Sequence, residues 1–332
     1  MMEKIISESK IDQVAKLINK YDNVVTICHV SPDGDAVGSS LGLYHFLNAL
    51  DKSVTVVVPD ALPDNLCFLG GAKDILNFSK YPEFVAELID KAELIFCLDF
   101  NALSRVGDDL SPLIAKAKAK KVMIDHHLDP ENFCDVIISH PEISSTSELV
   151  FRLICRMGMF DVLDCLSAAA IYTGMMTDTG NFTYNSNKPD MYFIIEELVR
   201  KGIDKDKIYT KVFNTNSVDK IRLNGYATSE KLEIFPGEEL NRYHYRKGDS
   251  EGLVNVPLSI EGVVFSAFFR EEKEYIKVSL RSKGNFPANK VASEYFNGGG
   301  HMNAAGGEFY GTMEEIIERF KNLLPMYVQY LQ

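Results

Sequence analysis

The stretch VVTICHVSPDGDAVGSS, residues 24–40, predicts the fold around it. It begins with a short, mostly β-branched apolar run at 24–28, passes through a loop with proline and glycine, and leads into an apolar helical pattern at 37–50. Such runs are typical of strands whose two faces are both covered by helices. Further runs of this kind lie at 53–58, 94–99 and 122–125. Their alternation with helical patterns predicts an α/β fold with a doubly wound, mainly parallel sheet.

The second half of the chain has a different pattern of predicted strands and helices. Of the 332 residues, 46% are hydrophobic and 25% charged, which is ordinary for globular proteins, and the length predicts two domains. Strand patterns at 262–270 and 275–282, followed by a helical pattern at 288–296, indicate a smaller α+β domain. We therefore expect a first domain at 1–187, a helical connector at 188–220 and a second domain at 221–332.

Charge and cysteine usage limit the environment and the partners. A net charge of −12 argues against binding to long duplex nucleic acid, which usually requires a basic face. A short nucleotide stays compatible, because bound divalent metals would reverse the local sign of the charge. The N-terminus lacks the pattern of a signal peptide, no apolar run is long enough to span a bilayer, and no two cysteines have C-x-x-C spacing. These features predict a cytoplasmic protein without membrane attachment.

Acidic and histidine side chains recur where the predicted strands end. They are His29, Asp33, Asp35, Asp99, Asp125, His126, His127 and, in the later TDTG segment, Asp178. The carboxyl ends of parallel strands lie at one edge of a sheet, where functional loops gather. We therefore expect these side chains to converge. Before that segment, Ser145-x-x-Glu148 predicts a capping box at the start of a helix.

The types of residue point to metal chemistry. Carboxylates mixed with imidazoles suit Mn²⁺ or Mg²⁺, and less exclusively zinc or iron. The number of ligands exceeds the need of one ion, whereas two ions that share a carboxylate would use them and would support phosphoryl displacement. Each residue alone has a structural alternative, because D-G-D often forms a turn and an aspartate after a strand often caps a helix. Their common position at strand ends favours the metal site.

A second group of residues lies near the C-terminus. The segment NGGGHMNAAGG at 297–307 has little steric bulk, so its backbone could approach an anion closely and its N–H groups could form a phosphate-binding nest. Arg270 and Arg281 end or interrupt the predicted strands nearby, and a guanidinium suits a phosphate. Between 270 and 290 there are six Lys or Arg residues against three Glu. Solvated charges on an edge strand are the alternative.

These motifs resemble those of the DHH-family phosphoesterases over nearly the whole chain. Four segments look like the metal-site motifs of that family, in order: HVSPDGDAVGSS, the strand end at Asp99, DHH at 125–127 and TDTG at 177–180. Four others look like its C-terminal DHHA1 domain: GLVN at 252–255, SIEGV at 259–263, VSLRSKG at 278–284 and GGGHMNAAGG at 298–307. Within the family, the bacterial nanoRNase type resembles the chain most. That type combines a short-oligoribonuclease with a 3′-phosphoadenosine 5′-phosphate (pAp) phosphatase.

The resemblance implies roles for individual residues. One metal would be held by His29, Asp33 and Asp99, and the other by Asp35, Asp99, His126 and Asp178, so that Asp99 bridges the two. Asp125 would orient an imidazole, and His127 would face the phosphate. The nucleotide would be held by Arg270, Arg281, Ser282, Gly298, Gly299, Gly300 and His301.

The sequence thus predicts a metal-dependent phosphoesterase that hydrolyses short oligoribonucleotides, pAp or both, with a water activated by two divalent ions. Mn²⁺ is the expected metal, and Mg²⁺ is compatible. The first alternative is a phosphodiesterase of the same family that acts on cyclic or linear dinucleotides. The second is a nucleotide sensor without turnover. A pyrophosphatase and a processive exonuclease on single-stranded DNA are disfavoured, and pairing of the chain into a homodimer stays open.

Overall fold

The computed structural model describes residues 3–215, 218–229, 252–259 and 263–330. The chain divides into two compact units, Met1–Thr215 and Asn216–Gln332. Residues 260–262, part of the SIEGV motif and of the strand expected from 262, lie outside the described residues. The domain boundaries at 187 and 220 stay a prediction.

The first unit contains a six-stranded sheet in which every neighbouring pair is parallel. Its strands are β1 (Asn23–Ile27), β2 (Ser53–Val58), β3 (Leu76–Asn77), β4 (Leu94–Leu98), β5 (Lys120–Asp125) and β6 (Val136–Ser139). Their order is β3-β2-β1-β4-β5-β6. The predicted doubly wound parallel sheet is confirmed. β3 and β6 were not predicted from the sequence, and both lie at edges of the sheet.

Helices cover both faces of this sheet. They are α1 (Glu8–Lys20), α2 (Gly34–Asn48), α3 (Pro82–Lys91), α4 (Ser111–Lys116), α5 (Thr146–Arg156), α6 (Cys165–Asp178), α7 (Pro189–Arg200) and α8 (Lys205–Phe213). Alternate strand residues point to opposite faces, so Phe96 packs into the core shared with α2, α5 and α6, and Ile95 into the core shared with α3 and α4. Burial on both sides explains why these strands read as continuous apolar runs.

The order of the strands creates a crevice at one position. From β1 the chain moves to β2 on one side, and it later returns to build β4 and β5 on the other side. In a doubly wound sheet, ligands bind at this switch point, outside the carboxyl ends of the two central strands. His29 lies just after β1, Asp99 directly after β4, and Asp125 ends β5. The predicted ligand-bearing segments therefore meet at the switch point.

Helices α2 and α6 cross closely because glycines line their contact. A Cβ atom on Gly38 would lie 2.6 Å from the Ala170 carbonyl oxygen, and one on Gly34 would lie 2.2 Å from Thr177 Oγ1. Gly42 faces Ile171, so the two helices run in opposite directions. The N-terminus of α2, with its aspartates, is thereby placed beside the C-terminus of α6.

The second unit is built on an antiparallel sheet, as predicted for an α+β domain. Its strands are β7 (Phe265–Glu271), β8 (Ile276–Ser282), β9 (Gly299–His301) and β10 (Ala304–Phe309), in the order β7-β8-β10-β9. Its helices are α9 (Val218–Ser229), α10 (Ala288–Tyr295) and α11 (Met313–Leu323). One face of the sheet forms a core around Val278, Leu280 and Phe296. The glycine segment is not a loop as expected, because Gly299 to His301 pair with β10.

Two observations concern the environment of the chain. Among the described residues, no helix is long and apolar enough to cross a membrane. All six cysteines are free, and Cys28 and Cys97 are fully buried. These two thiols behave as small apolar side chains of the core, as expected.

Candidate metal centre

His29 presents one ring nitrogen to two carboxylates. Its Nδ1 donates a hydrogen bond to the Val30 carbonyl oxygen at 2.8 Å, since a carbonyl can only accept. In the neutral ring, Nε2 then carries the lone pair. This Nε2 lies 3.4 Å from Asp99 Oδ2 and 3.9 Å from Asp33 Oδ2. The first predicted ligand set is therefore brought together.

His126 has the same arrangement. Its Nδ1 donates to the Ile143 carbonyl oxygen at 3.2 Å. Its Nε2 lies 3.5 Å from Asp99 Oδ1, 3.5 Å from Asp178 Oδ2 and 3.8 Å from Asp35 Oδ2. The second predicted ligand set is also brought together. In both histidines a backbone carbonyl selects the tautomer that can bind a metal, a support that is usual around metal sites.

Asp99 joins the two groups. One of its carboxylate oxygens faces His29 and the other faces His126. The side chain is 2% exposed, and Oδ1 accepts a hydrogen bond from Thr146 Oγ1 at 2.9 Å. The backbone has a left-handed φ of 63°, which turns the side chain away from the strand direction. This is the geometry expected of a carboxylate shared by two ions.

The spacing of the donors fits divalent metals. Two ligands at about 2.1 Å from one ion with tetrahedral to octahedral angles are roughly 3.0–3.4 Å apart. The nitrogen-to-oxygen distances of 3.4–3.9 Å around His29 and His126 lie at or slightly above the upper end of this range. Groups that could share an ion are the buried His29 and Asp99 with the half-buried Asp33, and, separately, the buried Asp35, Asp99 and His126. The residues present therefore fit a divalent metal centre.

The two aspartates of the D-G-D segment are held by helix N-termini. Asp33 caps α2, where its Oδ1 accepts from the amides of Asp35 and Ala36 at 3.0 Å each. The Asp35 carboxylate accepts from the amides of Thr146 at 2.6 Å and Ser147 at 2.9 Å, at the start of α5. Helix N-termini favour negative charge. Asp33 thus has both the capping role and the position of a ligand, which the sequence had suggested as alternatives.

The pKa values show how strongly these groups influence one another. Burial raises the pKa of Asp35 well above its ordinary value, and the carboxylates of Asp99 and Asp178 raise it further. Burial also opposes ionisation of Asp99, but its hydrogen bond to His29 and the charges of the neighbouring imidazoles hold its pKa below the ordinary value. Burial lowers the pKa of His126, but the surrounding carboxylates outweigh it and raise that pKa to about 9. The centre therefore concentrates negative charge that cations would stabilise.

The Asp125 carboxylate binds the neighbouring His127. Its Oδ1 accepts from His127 Nδ1 at 2.8 Å, its Oδ2 accepts from the His127 backbone amide at 3.0 Å, and its side chain is fully buried. Both oxygens are thus engaged by one residue. The contacts are those of a carboxylate that orients an imidazole, the role that the resemblance implied.

In the second unit, the predicted substrate residues do not all lie together. The register places Ser266 opposite Arg281, Arg281 opposite Ala304, and Ala304 opposite His301. Arg270, four residues after Ser266 on β7, shares this face, and so does Gly299. Arg281 donates to the Leu280 carbonyl, and Arg270 pairs with Glu272. The face carries polar and basic side chains, opposite the apolar core.

Ser282 lies on the other side of the sheet. It is 4% exposed, its hydroxyl donates to the Phe286 carbonyl at 2.8 Å, and it accepts from Asn303 Nδ2 at 2.9 Å. Gly298 uses its amide to close helix α10 on the Ala292 carbonyl. A Cβ atom there would lie 2.0 Å from the Gly306 carbonyl oxygen, and one on Gly300 would lie 2.6 Å from the Ala304 carbonyl oxygen. In this structure Ser282, Gly298 and Gly300 stabilise the β9–β10 hairpin and the turns beside it. Their role toward a substrate stays a prediction.

Sequence reasoning missed several residues at both places. Thr146 and Ser147 bind Asp35 and Asp99, although the start of α5 was predicted only as a cap. Ser266 is buried on the polar face of the second sheet, and its hydroxyl has no hydrogen-bond partner among the described residues. For Thr146 and Ser147, the cluster of hydroxyl residues at 144–147 was the available signal in the sequence.

Comparisons with known proteins agree with this geometry. A family model described as the DHH family, N-terminal domain, matches residues 23–175, and a model described as the DHHA1 domain matches residues 238–329. A bifunctional oligoribonuclease and PAP phosphatase, NrnA of Thermus thermophilus, is 31% identical over 317 residues, which cover 93% of this chain and 92% of that protein. The chain is also similar to a cyclic-di-AMP phosphodiesterase, PdeA of Listeria monocytogenes, with 27% identity over 91% of this chain and 46% of that protein.

One solved structure is similar over its full length. The crystal structure of an exopolyphosphatase-related protein from Bacteroides fragilis is 56% identical, covers 99% of each chain and has a TM-score of 0.94. Both units of the chain therefore have counterparts in a single experimental structure.

Proposed function

Since the chain belongs to the DHH family, we propose that it hydrolyses the phosphoester bonds of short oligoribonucleotides and of pAp in the cytoplasm, with two divalent metal ions. Two of its relatives, the Thermus NrnA and the Listeria PdeA, are named as enzymes that act on nucleotide phosphoesters. Both align with more than 90% of this chain, but the alignment covers 92% of the first protein and only 46% of the second. This favours the combined oligoribonuclease and pAp phosphatase over a cyclic-dinucleotide phosphodiesterase.

The observation that carries the proposal is the position of Asp99. Its two oxygens face the Nε2 atoms of His29 and His126 at 3.4 and 3.5 Å, and each imidazole is oriented by a backbone carbonyl behind it. Two adjacent ligand sets that share one buried carboxylate are the arrangement of a two-metal hydrolytic site. The mixture of carboxylate oxygens and imidazole favours Mn²⁺, with Mg²⁺ as the second choice.

The residues of the centre would have separate roles in metal binding and in phosphate binding. His29, Asp33 and Asp99 would hold one ion, and Asp35, Asp99, His126 and Asp178 the other. When bound, the ions would supply a water nucleophile at neutral pH and positive charge against the phosphoryl oxygens. His127, held by Asp125, would present its ring to the phosphate and donate a hydrogen bond to it. The buried hydrogen bonds of Asp35 and Asp99 keep the ligands in place before substrate arrives.

The second unit would select the nucleotide. Arg270, Arg281 and His301 lie on one face of its sheet, in a chain that is otherwise acidic. Arginine binds phosphate oxygens with two parallel hydrogen bonds. We assign this face to the phosphates and base of the substrate beyond the bond that is cleaved.

A substrate panel tests the proposal. The purified chain with Mn²⁺ would be assayed on pAp, a diribonucleotide, a short RNA, cyclic di-AMP, pyrophosphate and polyphosphate, with product release measured beside binding. We expect pAp and the diribonucleotide to give the highest kcat/KM. Fastest turnover of cyclic di-AMP would support the alternative phosphodiesterase, and fastest turnover of polyphosphate would contradict a nucleotide substrate. Binding without product release on every substrate would identify a sensor.

A further inference from the structure

Arg105 is a half-buried arginine on the single-turn helix Leu103–Val106, which follows β4. Among the described residues, its guanidinium makes no ion pair and no side-chain hydrogen bond. Arg152, the buried arginine of α5, shows the contrast, because Glu148 and Asp190 both bind it. An arginine that binds no other side chain keeps its N–H groups available to an anion.

The position of Arg105 is beside the metal centre. The Val30 amide donates to the Arg105 carbonyl oxygen at 2.8 Å, directly after the metal-ligand candidate His29. A Cβ atom on Gly107 would lie 3.4 Å from Val30 Cγ1, so the turn packs against the same segment. The turn that carries Arg105 is therefore fixed against the segment that follows His29.

The turn that carries Arg105 is held in place from the other side as well. Asn101 Nδ2 donates to the Leu128 carbonyl oxygen at 2.6 Å, and the Glu131 amide donates to the Asn101 carbonyl oxygen at 2.7 Å. The Leu103 amide donates to Glu131 Oε2 at 3.0 Å. These bonds link the loop after β4 to the loop that follows His127. The backbone from which the Arg105 side chain extends is therefore fixed before a ligand binds.

A structural role within the acidic cluster does not account for this arginine. If Arg105 served to neutralise the ligand carboxylates, it would pair with Asp33 or Asp99, yet neither lies within 4.0 Å of its nitrogens. Those oxygens face the imidazoles instead. The guanidinium is therefore left for an anion that arrives at the centre from outside.

We propose that Arg105 binds a non-bridging oxygen of the substrate phosphate at the metal centre, an assignment that rests on the proposed phosphoesterase function. The planar guanidinium can donate two parallel N–H bonds to one phosphate. Charge on the equatorial oxygens increases toward the transition state, so a fixed cation there favours turnover as well as binding.

The test compares Arg105→Ala and Arg105→Lys with Arg200→Ala as the matched control. Arg200 is an exposed arginine of α7 that pairs with Glu196. Each full-length variant is assayed for kcat and KM on pAp and a diribonucleotide, for affinity toward AMP in the presence of Mg²⁺, and for Mn²⁺ affinity. Circular dichroism checks the fold. Free guanidinium ion is added to R105A to replace the lost group.

We expect R105A to reduce kcat/KM by about 100-fold and to weaken AMP binding by about tenfold, because one donor to the developing charge is lost. R105K is expected to stay about tenfold below the wild type, since an ammonium ion cannot span two oxygens. Guanidinium should restore part of the activity of R105A. R200A should be unchanged.

Two results would overturn the assignment. The first is an R105A variant with kcat/KM and AMP affinity within about twofold of the wild type. The second is weakened Mn²⁺ binding in R105A, which would assign the arginine to the metal centre itself. If the wild type hydrolyses no nucleotide, the proposed function fails instead. Titration of inorganic phosphate into the Mg²⁺-loaded protein then decides on Arg105, because binding by the wild type and not by R105A would still support it.

Discussion

Single residues at the centre adopt conformations that a chain ordinarily avoids. Asp99 has a φ of 63° and Ser31 a φ of 51°, and both lie in loops at the carboxyl ends of the central strands. Left-handed backbone is unfavourable for residues other than glycine, and such residues gather at functional sites when the surrounding structure holds them. Here the Asp99 amide donates to the Ile124 carbonyl, and its carboxylate accepts from Thr146. The position of the shared carboxylate is therefore stabilised by its neighbours and not by local preference.

Asp99→Asn tests the shared carboxylate. Asparagine tolerates left-handed backbone, so the change removes charge while keeping the turn. Loss of a carboxylate that serves both ions is expected to reduce kcat by at least about 1,000-fold and to lower the number of Mn²⁺ ions bound, with an unchanged circular dichroism spectrum. Mass spectrometry of the metal content and pAp turnover measure the two effects.

Asp51→Asn is the matched control for that change. Asp51 is exposed, lies outside the centre and has a φ of 59°, nearly that of Asp99. It should keep normal activity and metal content. Near-normal turnover of D99N with Mn²⁺ would contradict the bridging assignment.

At the level of elements, the start of α5 both caps its helix and binds the Asp35 carboxylate. Ser145 accepts from the Glu148 amide, which is half of the predicted capping box. The other half is absent, because the Glu148 side chain instead binds Arg152 and accepts from Ser144 Oγ. The amides of the first turn bind Asp35 in place of solvent. The helix terminus thus stabilises Asp35, a proposed metal ligand, and the buried Arg152 binds the side chain of Glu148.

The crossing of α2 and α6 predicts a second measurable effect. In Gly38→Ala the new methyl group would contact the backbone of α6, 2.6 Å from the Ala170 carbonyl oxygen. We expect the free energy of unfolding to fall by about 1–3 kcal/mol, because overpacking outweighs the better helix propensity of alanine. Urea unfolding followed by circular dichroism measures this.

Gly225→Ala in α9 is its control, because no atom of the described part of the chain lies within 4 Å of the new Cβ there. That variant should be neutral or up to about 1 kcal/mol more stable. Equal effects in the two variants would mean that the helix crossing tolerates a methyl group.

The contact between α5 and α7 makes stability depend on pH. Burial alone would raise the pKa of Asp190, but bonds from the Glu3 amide and Arg152 lower it below the ordinary 3.8. Asp190 therefore contributes stability above about pH 4, and this contribution is lost as the pH falls through the lower folded pKa. Asp190→Asn should cost about 1 kcal/mol at pH 7 and much less near pH 3. Urea unfolding at several pH values shows the difference.

Asp12→Asn serves as the control for that series. Asp12 is an exposed residue of α1 without an ion pair among the described residues. The change should alter the free energy of unfolding by less than about 0.5 kcal/mol. A cost of D190N that stayed constant down to pH 3 would show that the ionic contact does not stabilise the fold.

At the scale of the whole molecule, the first unit concentrates carboxylates and the second concentrates cationic side chains on one sheet face. Burial, together with the nearby carboxylates of Asp99 and Asp178, raises the pKa of Asp35, so the charged form of Asp35 is unfavourable without cations. Metal binding should therefore stabilise the native chain. At a free Mn²⁺ concentration 100 times Kd, the expected gain for one site is about 2.7 kcal/mol.

Calorimetry with Mn²⁺ and with EDTA measures that gain as a shift in Tm. D99N provides the control, because its shift should be much smaller than that of the wild type. A Tm that did not respond to Mn²⁺ or EDTA would contradict a metal centre in the native protein.

Much of the fold and of the metal centre follows from local sequence. The apolar runs that become β1, β4 and β5 are continuous because both faces are buried, and their ends carry the acids and histidines. Parallel strands end at a common edge, so the convergence of His29, Asp99 and Asp125 could be predicted. The motifs of the DHH family gave the division into two ligand sets.

Which side chains lie in contact was decided only by the tertiary structure. The bond from Thr146 to Asp35 joins residues 111 positions apart, so no local pattern reveals it. Period-two alternation separates Ser282 from Arg281, but which face became the core depended on the helices that pack there. The pairing of Gly299–His301 with β10 and the packing of the Arg105 turn against Val30 likewise depend on contacts between distant segments. Local sequence determined the elements and the order of the ligands, whereas long-range packing determined the orientation of each side chain, because that orientation minimises the free energy of the whole assembly of elements.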